Sequence, residues 1–148
     1  MGAKFANASY KIGNYVLTTK EKRMSNSIML DEATEFAVEI VNVCKYIKET
    51  HKESVMTNQL IRCGTSIGAN IYESKYGHGR ADFIAKMQIA LKECYESEYW
   101  LTLLNKTGYL LDDRFKILCN KCGSIRRMLV SSINTTKENS SHQKKQKE

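Results

Sequence analysis

The sequence predicts an all-α fold, an antiparallel up-down four-helix bundle over residues 27–134. Three observations carry this. The 148 residues include no proline and only eight glycines, so helix breakers are scarce. Four segments repeat apolar residues at three- and four-residue steps, the period of an amphipathic helix. The links between them are short, which sets neighbouring helices antiparallel. One domain fits this length and leaves room for a real core.

Residues 1–26 show no sustained helical period and read as a flexible leader, with Met24 and the following SNSIMLDEA resembling a natural start. Helix one is expected from about Leu30 to Lys52, with Asp31 and Glu32 near its positive end. Ala33, Phe36, Ala37, Ile40, Val41, Cys44 and Ile47 form its apolar stripe. HKES is a short link in which Ser54 is placed to cap helix two. Helix two, about Val55 to Lys75, sets Met56, Leu60, Cys63, Gly64, Ile67 and Ile71 on one face. YGHGRAD, with two glycines, is a turn. Helix three, about Ala81 to Lys106, follows with Phe83, Ile84, Met87, Ala90, Leu91, Cys94, Leu101 and Leu104 in its stripe. After TGYLLDD, helix four runs from about Arg114 to Ile133 and turns Phe115, Leu118, Cys122, Ile125 and Leu129 inward. The Lys/Ser/Gln-rich stretch 135–148 has the composition of a disordered basic tail.

Two features of helix two stand out. Gly64 and Gly68 lie four apart in a helix interior, where glycine costs about 1 kcal/mol relative to alanine. Such a cost implies close approach by a neighbour. Gly64 falls with the core stripe, whereas Gly68 and Ser66 lie to either side of it, open to packing within the bundle or to a subunit contact. Arg62, Ser66, Asn70 and Glu73 form a polar strip on an adjacent face. It is either a solvated surface or a network with Glu93, Tyr95 or Glu98 of helix three. Glu98 sits inside an apolar stripe and needs a donor, expected to be Arg62 or Asn70.

Charge is distributed unevenly. Lys/Arg and Asp/Glu balance over residues 1–113, so the whole net charge of +7 sits in residues 114–148, which hold nine Lys/Arg against two Asp/Glu. This one-sided excess suits a polyanionic partner, a solubilising tail being the plain alternative. Arg114, Lys116, Lys121, Arg126, Arg127 and Lys137 are the candidate phosphate contacts, with Lys144, Lys145 and Lys147 beyond them. Apart from Phe115, which turns inward, no aromatic residue interleaves with them, so the expected binding is electrostatic and salt-dependent.

Other function classes find little support. No apolar run reaches the length of a membrane span, no secretory pattern opens the chain, and MGAKFA has Ala6 where a myristoylation signal needs Ser or Thr. Five cysteines, mostly at core spacing, fit reduced thiols in a cytoplasm. Cys119 and Cys122 make one CxxC, but a structural zinc site wants a second pair. His51, His78 and His142 are dispersed, with no Glu-x-x-His or His-Glu-x-x-His motif, so no enzyme, metal or cofactor is expected. The glycines of GTSIGA follow no strand, which argues against a phosphate-cradling loop.

RCGTSIGANIYES at 62–74, DFIAKMQIALKECYESEYWLTLL at 82–104 and RRMLVSSINTTK at 126–137 resemble the four-helix bundle family of proteins encoded in 23S rRNA intervening sequences. That family is related to the accessory variability proteins of diversity-generating retroelements. Together with helix one, the resemblance covers residues 27–137. The family pattern more often has Ala at the positions of Tyr72 and Cys94. The resemblance implies a homopentameric ring with a central channel and no enzymatic activity. The retroelement branch implies binding to nucleic acid and to a reverse transcriptase. A second function class, a protein-binding scaffold without nucleic-acid contact, fits the same fold.

Overall fold

The computed structural model describes the backbone of residues 10–12, 15–17 and 19–145 and the side chains of residues 24–139. Four helices form: α1 (Thr19–His51), α2 (Val55–Ser74), α3 (Arg80–Lys106) and α4 (Asp112–Lys145). Two short strands precede them, β1 (Tyr10–Ile12) and β2 (Tyr15–Leu17), antiparallel with Tyr10 opposite Leu17. β1 lies against α4 and β2 against α1. These strands fall in the leader and use Tyr, Ile and Val, residues that suit a pleated strand. Residues 1–9, which include MGAKFA, and residues 146–148 lie outside the described residues.

Both outer helices are longer than the apolar pattern suggests. α1 begins at Thr19 because TKEKRM contains nothing that stops a helix, and Met29 joins the core at 2% exposure. α4 continues past Ile133 to Lys145, through the stretch whose composition reads as a tail. Thr135 and Thr136 are buried there, and the Thr136 hydroxyl donates to the Ser132 carbonyl at 2.8 Å.

One core holds the helices together. Phe36, Ile40 and Ile47 of α1 meet Leu60, Ile67 and Ile71 of α2, Met87, Leu101 and Leu104 of α3, and Leu118, Ile125 and Leu129 of α4, all buried. Neighbours run in opposite directions. Lys48 donates to Asn58 at 2.6 Å near one end of α1, while Ala33, nearer the other, faces Gly68. Asn105 of α3 bonds Asp112 of α4 at 2.8 Å, and Cys122 contacts the Cys94 carbonyl further along. α4 returns to α1, where Ser124 donates to Glu32 at 3.1 Å.

The two helix-two glycines both serve the approach of α1. A Cβ added at Gly64 would lie 3.1 Å from Ile40 Cγ2 and 3.2 Å from Cγ1, tighter than a side chain ordinarily tolerates. At Gly68 the same atom would meet Ala33 Cβ at 3.7 Å and its carbonyl at 3.8 Å, an ordinary van der Waals distance. Gly68 thus lies against its own α1. Gly68→Ala is expected to raise stability by roughly 0.5–1 kcal/mol through helix propensity. Gly64→Ala gains the same propensity but pushes Ile40 out of place, and is expected to fall below Gly68→Ala in thermal melts. Equal melting temperatures for the two would contradict this packing.

The α1–α2 link is capped by a different residue from the expected one. Ser54 makes no side-chain cap bond. Glu53 instead accepts the N–H of Met56 at 2.8 Å and of Thr57 at 3.0 Å. Its longer side chain reaches the free amides from outside the helix. Burial pushes the Glu53 carboxyl up, but the hydrogen bonds from Met56 and Thr57 outweigh it and hold the group below its ordinary value. A lowered folded pKa gives stability that is present above the unfolded pKa and lost as pH falls through the folded one. Glu53→Ala should therefore cost about 1 kcal/mol at neutral pH. The gap to the parent protein should narrow once the pH falls below about 4, as followed by denaturant titration.

Candidate nucleic-acid interface

α4 displays its basic residues on three faces, and the faces differ in what they can do. Its start is fixed by Asn105, whose amide donates to the Leu110 carbonyl at 2.9 Å as well as to Asp112. With Leu118, Cys122, Ile125 and Leu129 turned into the core, the helical period distributes the cations around the rest.

Towards α1, Arg114 and Lys121 share one carboxylate. Glu39 Oε2 lies 3.6 Å from Arg114, and its Oε1 accepts a bond from Lys121. That bond holds the Lys121 ammonium above the usual lysine range. Towards α3, Arg126 Nε bonds Glu98 at 3.2 Å, and the guanidinium stands 5.4 Å from the centre of the Tyr95 ring. The Glu98 charge, against the opposing effect of burial, raises the Arg126 pKa. Lys116 and Arg127, away from the bundle, and Lys137, about three turns beyond Arg126, are exposed and make no ion pair among the described residues.

The six candidate phosphate contacts therefore split into three clamped and three available. Helical period by itself places Lys116 and Arg127 away from the core stripe and Arg114 and Lys121 at its border. It could not show that Glu39 faces the latter pair, because that depends on which helix packs beside α4.

Glu98 obtains its donor from α4, not from α2 as the sequence suggested. Arg62 pairs instead with Glu96, and more distantly with Glu93 at 3.8 Å. Asn70 stays on its own helix and donates to the Ser66 carbonyl and hydroxyl at 2.9 and 3.0 Å. Glu73 pairs with Lys86 at 2.5 Å. The polar strip of α2 is thus a seam against α3, with Glu96 the member that sequence reasoning missed. Trp100 also donates to Glu96 at 3.2 Å. The Arg62 hydrogen bond keeps the Glu96 carboxyl below its ordinary value, whereas burial pushes Glu93 up.

A family model for the 23S rRNA-intervening sequence protein matches residues 25–131. The chain belongs to that family. A solved structure from Bacteroides thetaiotaomicron, described as a protein with unknown function from the S23 ribosomal protein family, is 45% identical. The match covers 75% of this chain and 99% of that one, with a TM-score of 0.74. No curated protein matches the chain. The family match includes the Glu39 and Glu98 clamps and ends before Lys137.

The thiols of this family member are poorly suited to chemistry. Burial pushes Cys44 up to about 12 and Cys63 and Cys119 up to about 11, and contact with Cys94 together with burial raises Cys122. Thiolates are the reactive form, so these groups are dormant near neutral pH. Among the described residues no three His, Cys, Asp or Glu side chains gather in a metal-binding arrangement. No described helix is long and apolar enough to cross a membrane.

The clamps set the cation supply, which makes them testable. Glu39→Gln should release Arg114 and Lys121, and Glu98→Gln should release Arg126. Each variant is expected to elute from immobilised heparin at higher salt than the parent protein, with Glu39→Gln shifted further. Elution at unchanged salt would mean that these carboxylates do not govern the available charge.

Proposed function

We propose that this chain is a non-enzymatic protein that binds nucleic acid through the outward face of α4. The observation that carries the reading is the exposure of Lys116, Arg127 and Lys137 on a helix where Arg114, Lys121 and Arg126 are held by Glu39 and Glu98. Exposed ammonium and guanidinium groups can displace counterions from phosphates, which makes the affinity strongly salt-dependent. Tyr95, half exposed beside Arg126, adds an aromatic surface contributed by α3.

We read the four helices as an up-down bundle, supported by the opposite directions of each neighbouring pair. By family resemblance such bundles assemble into a pentameric ring. A ring needs two different patches on each subunit, because its contacts are heterologous. Five basic α4 faces would then add weak contacts through avidity. The role that fits is an accessory factor in the cytoplasm, acting beside a reverse transcriptase or in association with 23S rRNA intervening sequences.

A protein-binding scaffold is the second reading. It draws on a cleft of about 350 Å³ lined mostly by apolar residues, Val43, Ile47, Leu110 and Leu111 among them, with Asn42 and the Glu39-paired Arg114 also on its wall and Leu111 78% exposed. Such an apolar lining suits a protein side chain better than a phosphate.

The two readings separate in one experiment. Lys116→Glu, Arg127→Glu and Lys137→Glu combined should lower affinity for structured RNA at least tenfold at low salt and flatten its salt dependence. Leu111→Asp should leave RNA affinity unchanged. RNA binding that is absent at low salt, or unaffected by the triple reversal, would sink the α4 reading.

A further inference from the structure

The turn between α2 and α3 carries a pair of exposed aromatic rings that the packing of the bundle does not use. Tyr72 is 53% exposed and Tyr76 69% exposed. They stand one helical turn apart, with ring centres separated by 5.3 Å and planes inclined at 53°. The Tyr76 hydroxyl donates to that of Tyr72 at 3.4 Å, so the two rings are tied together at their tips. Burial does not explain them, and neither does the α2–α3 seam, because Tyr72 points roughly a quarter turn away from Arg62 and Glu73, the residues that carry it.

The surroundings of the pair are basic. Lys75 lies between the two tyrosines in sequence and is exposed, and Arg80, also exposed, opens α3 just beyond the turn. The neighbouring carboxylates are occupied. Glu73 is paired with Lys86, and Asp82 accepts the His78 N–H at 3.1 Å. A Cβ added at Gly77 would come within 2.6 Å of Asp82 Oδ2, and Gly79 has φ +102°, so the turn is held in one tight form under Asp82. α4 brings Lys137 towards the same end of the bundle, since Ser124 already meets α1 at Glu32.

Rings available on one face, with cations beside them and the neighbouring carboxylates engaged by Lys86 and by the turn backbone, match the needs of single-stranded nucleic acid. Unpaired bases stack on aromatic faces whatever their identity, while the backbone runs along positive charge. A duplex hides its base faces and cannot use the rings. We infer that Tyr72 and Tyr76 form a stacking platform for an unpaired nucleobase, with Lys75 and Arg80 beside it for the adjoining phosphates. This rests on the nucleic-acid reading above and adds a preference for unpaired strands that the α4 face alone does not supply.

The test uses the full chain with a short oligouridine, the matching oligothymidine and a duplex of equal length, followed by fluorescence anisotropy at low salt. Tyr72→Ala with Tyr76→Ala should weaken binding to both single strands about tenfold and leave the duplex unchanged, since one stacked base is worth roughly that factor or more. Tyr72→Phe with Tyr76→Phe keeps the rings and should bind single strands as the parent protein does. Both double variants should melt as the parent protein does, because the rings are exposed. Unchanged oligouridine affinity in the alanine variant overturns the platform while the α4 reading stands. An equal loss on single strands and duplex overturns it too, as does a change in sedimentation of the free protein without a change in oligouridine affinity, which would make the rings a contact between copies. A parent protein that binds neither strand nor duplex at low salt removes the nucleic-acid reading and the platform with it.

Discussion

At Gly64 the backbone of α2 comes so near α1 that even a methyl group would crowd Ile40. Helices normally pack with their axes 8–10 Å apart, set by the side chains between them. Removing the side chain on one partner lets the pair close, and Gly68 against Ala33 continues the approach towards the other end. The orientation of α2 then follows. Its Arg62–Glu73 edge turns to α3, where Glu96 and Lys86 receive it. α3 in turn presents Glu98 to α4, and α4 presents Lys121 back to Glu39 of α1.

These ion pairs matter more for orientation than for stability. Most are partly exposed, and exposed pairs add little to folding free energy. What they do is choose which cations remain outside. On α4, Arg114, Lys121 and Arg126 are matched by carboxylates on α1 and α3, while Lys116 and Arg127, opposite the core, are left to solvent. The cations of this helix are therefore sorted by their neighbours, although they look alike in sequence.

The apolar stripes were legible because burial in a helix leaves a three- and four-residue period, and the buried residues of all four helices follow it. The core role of Gly64 was legible for the same reason. Pairings between helices were not. Glu98 plainly needed a donor, but position within one helix cannot say whether α2 or α4 lies nearest, and Arg126 proved to be the partner. Arg62 found Glu96, two residues from the expected Glu98, because two residues of helix turn those carboxylates to nearly opposite sides of α3, one towards α2 and the other towards α4. Glu53 took the cap from Ser54 through side-chain reach, which propensity does not encode. The true length of α1 and α4 escaped because polar helical turns beyond the core carry no apolar period. The tyrosine pair escaped as well, since each ring read singly looks like an ordinary surface residue.

The unequal helix lengths give the molecule a direction. At 1.5 Å per residue, α1 and α4 are each about 50 Å long, α3 about 40 Å and α2 about 30 Å. The α1–α2 and α3–α4 links are short, so the excess length projects beyond the α2–α3 turn as a two-helix arm with a step at its base. Tyr72 and Tyr76 stand on that step. A flexible strand lying there would be confined on one side by the arm. The opposite end of the rod carries the apolar cleft at Tyr109 to Leu111 in place of a shelf.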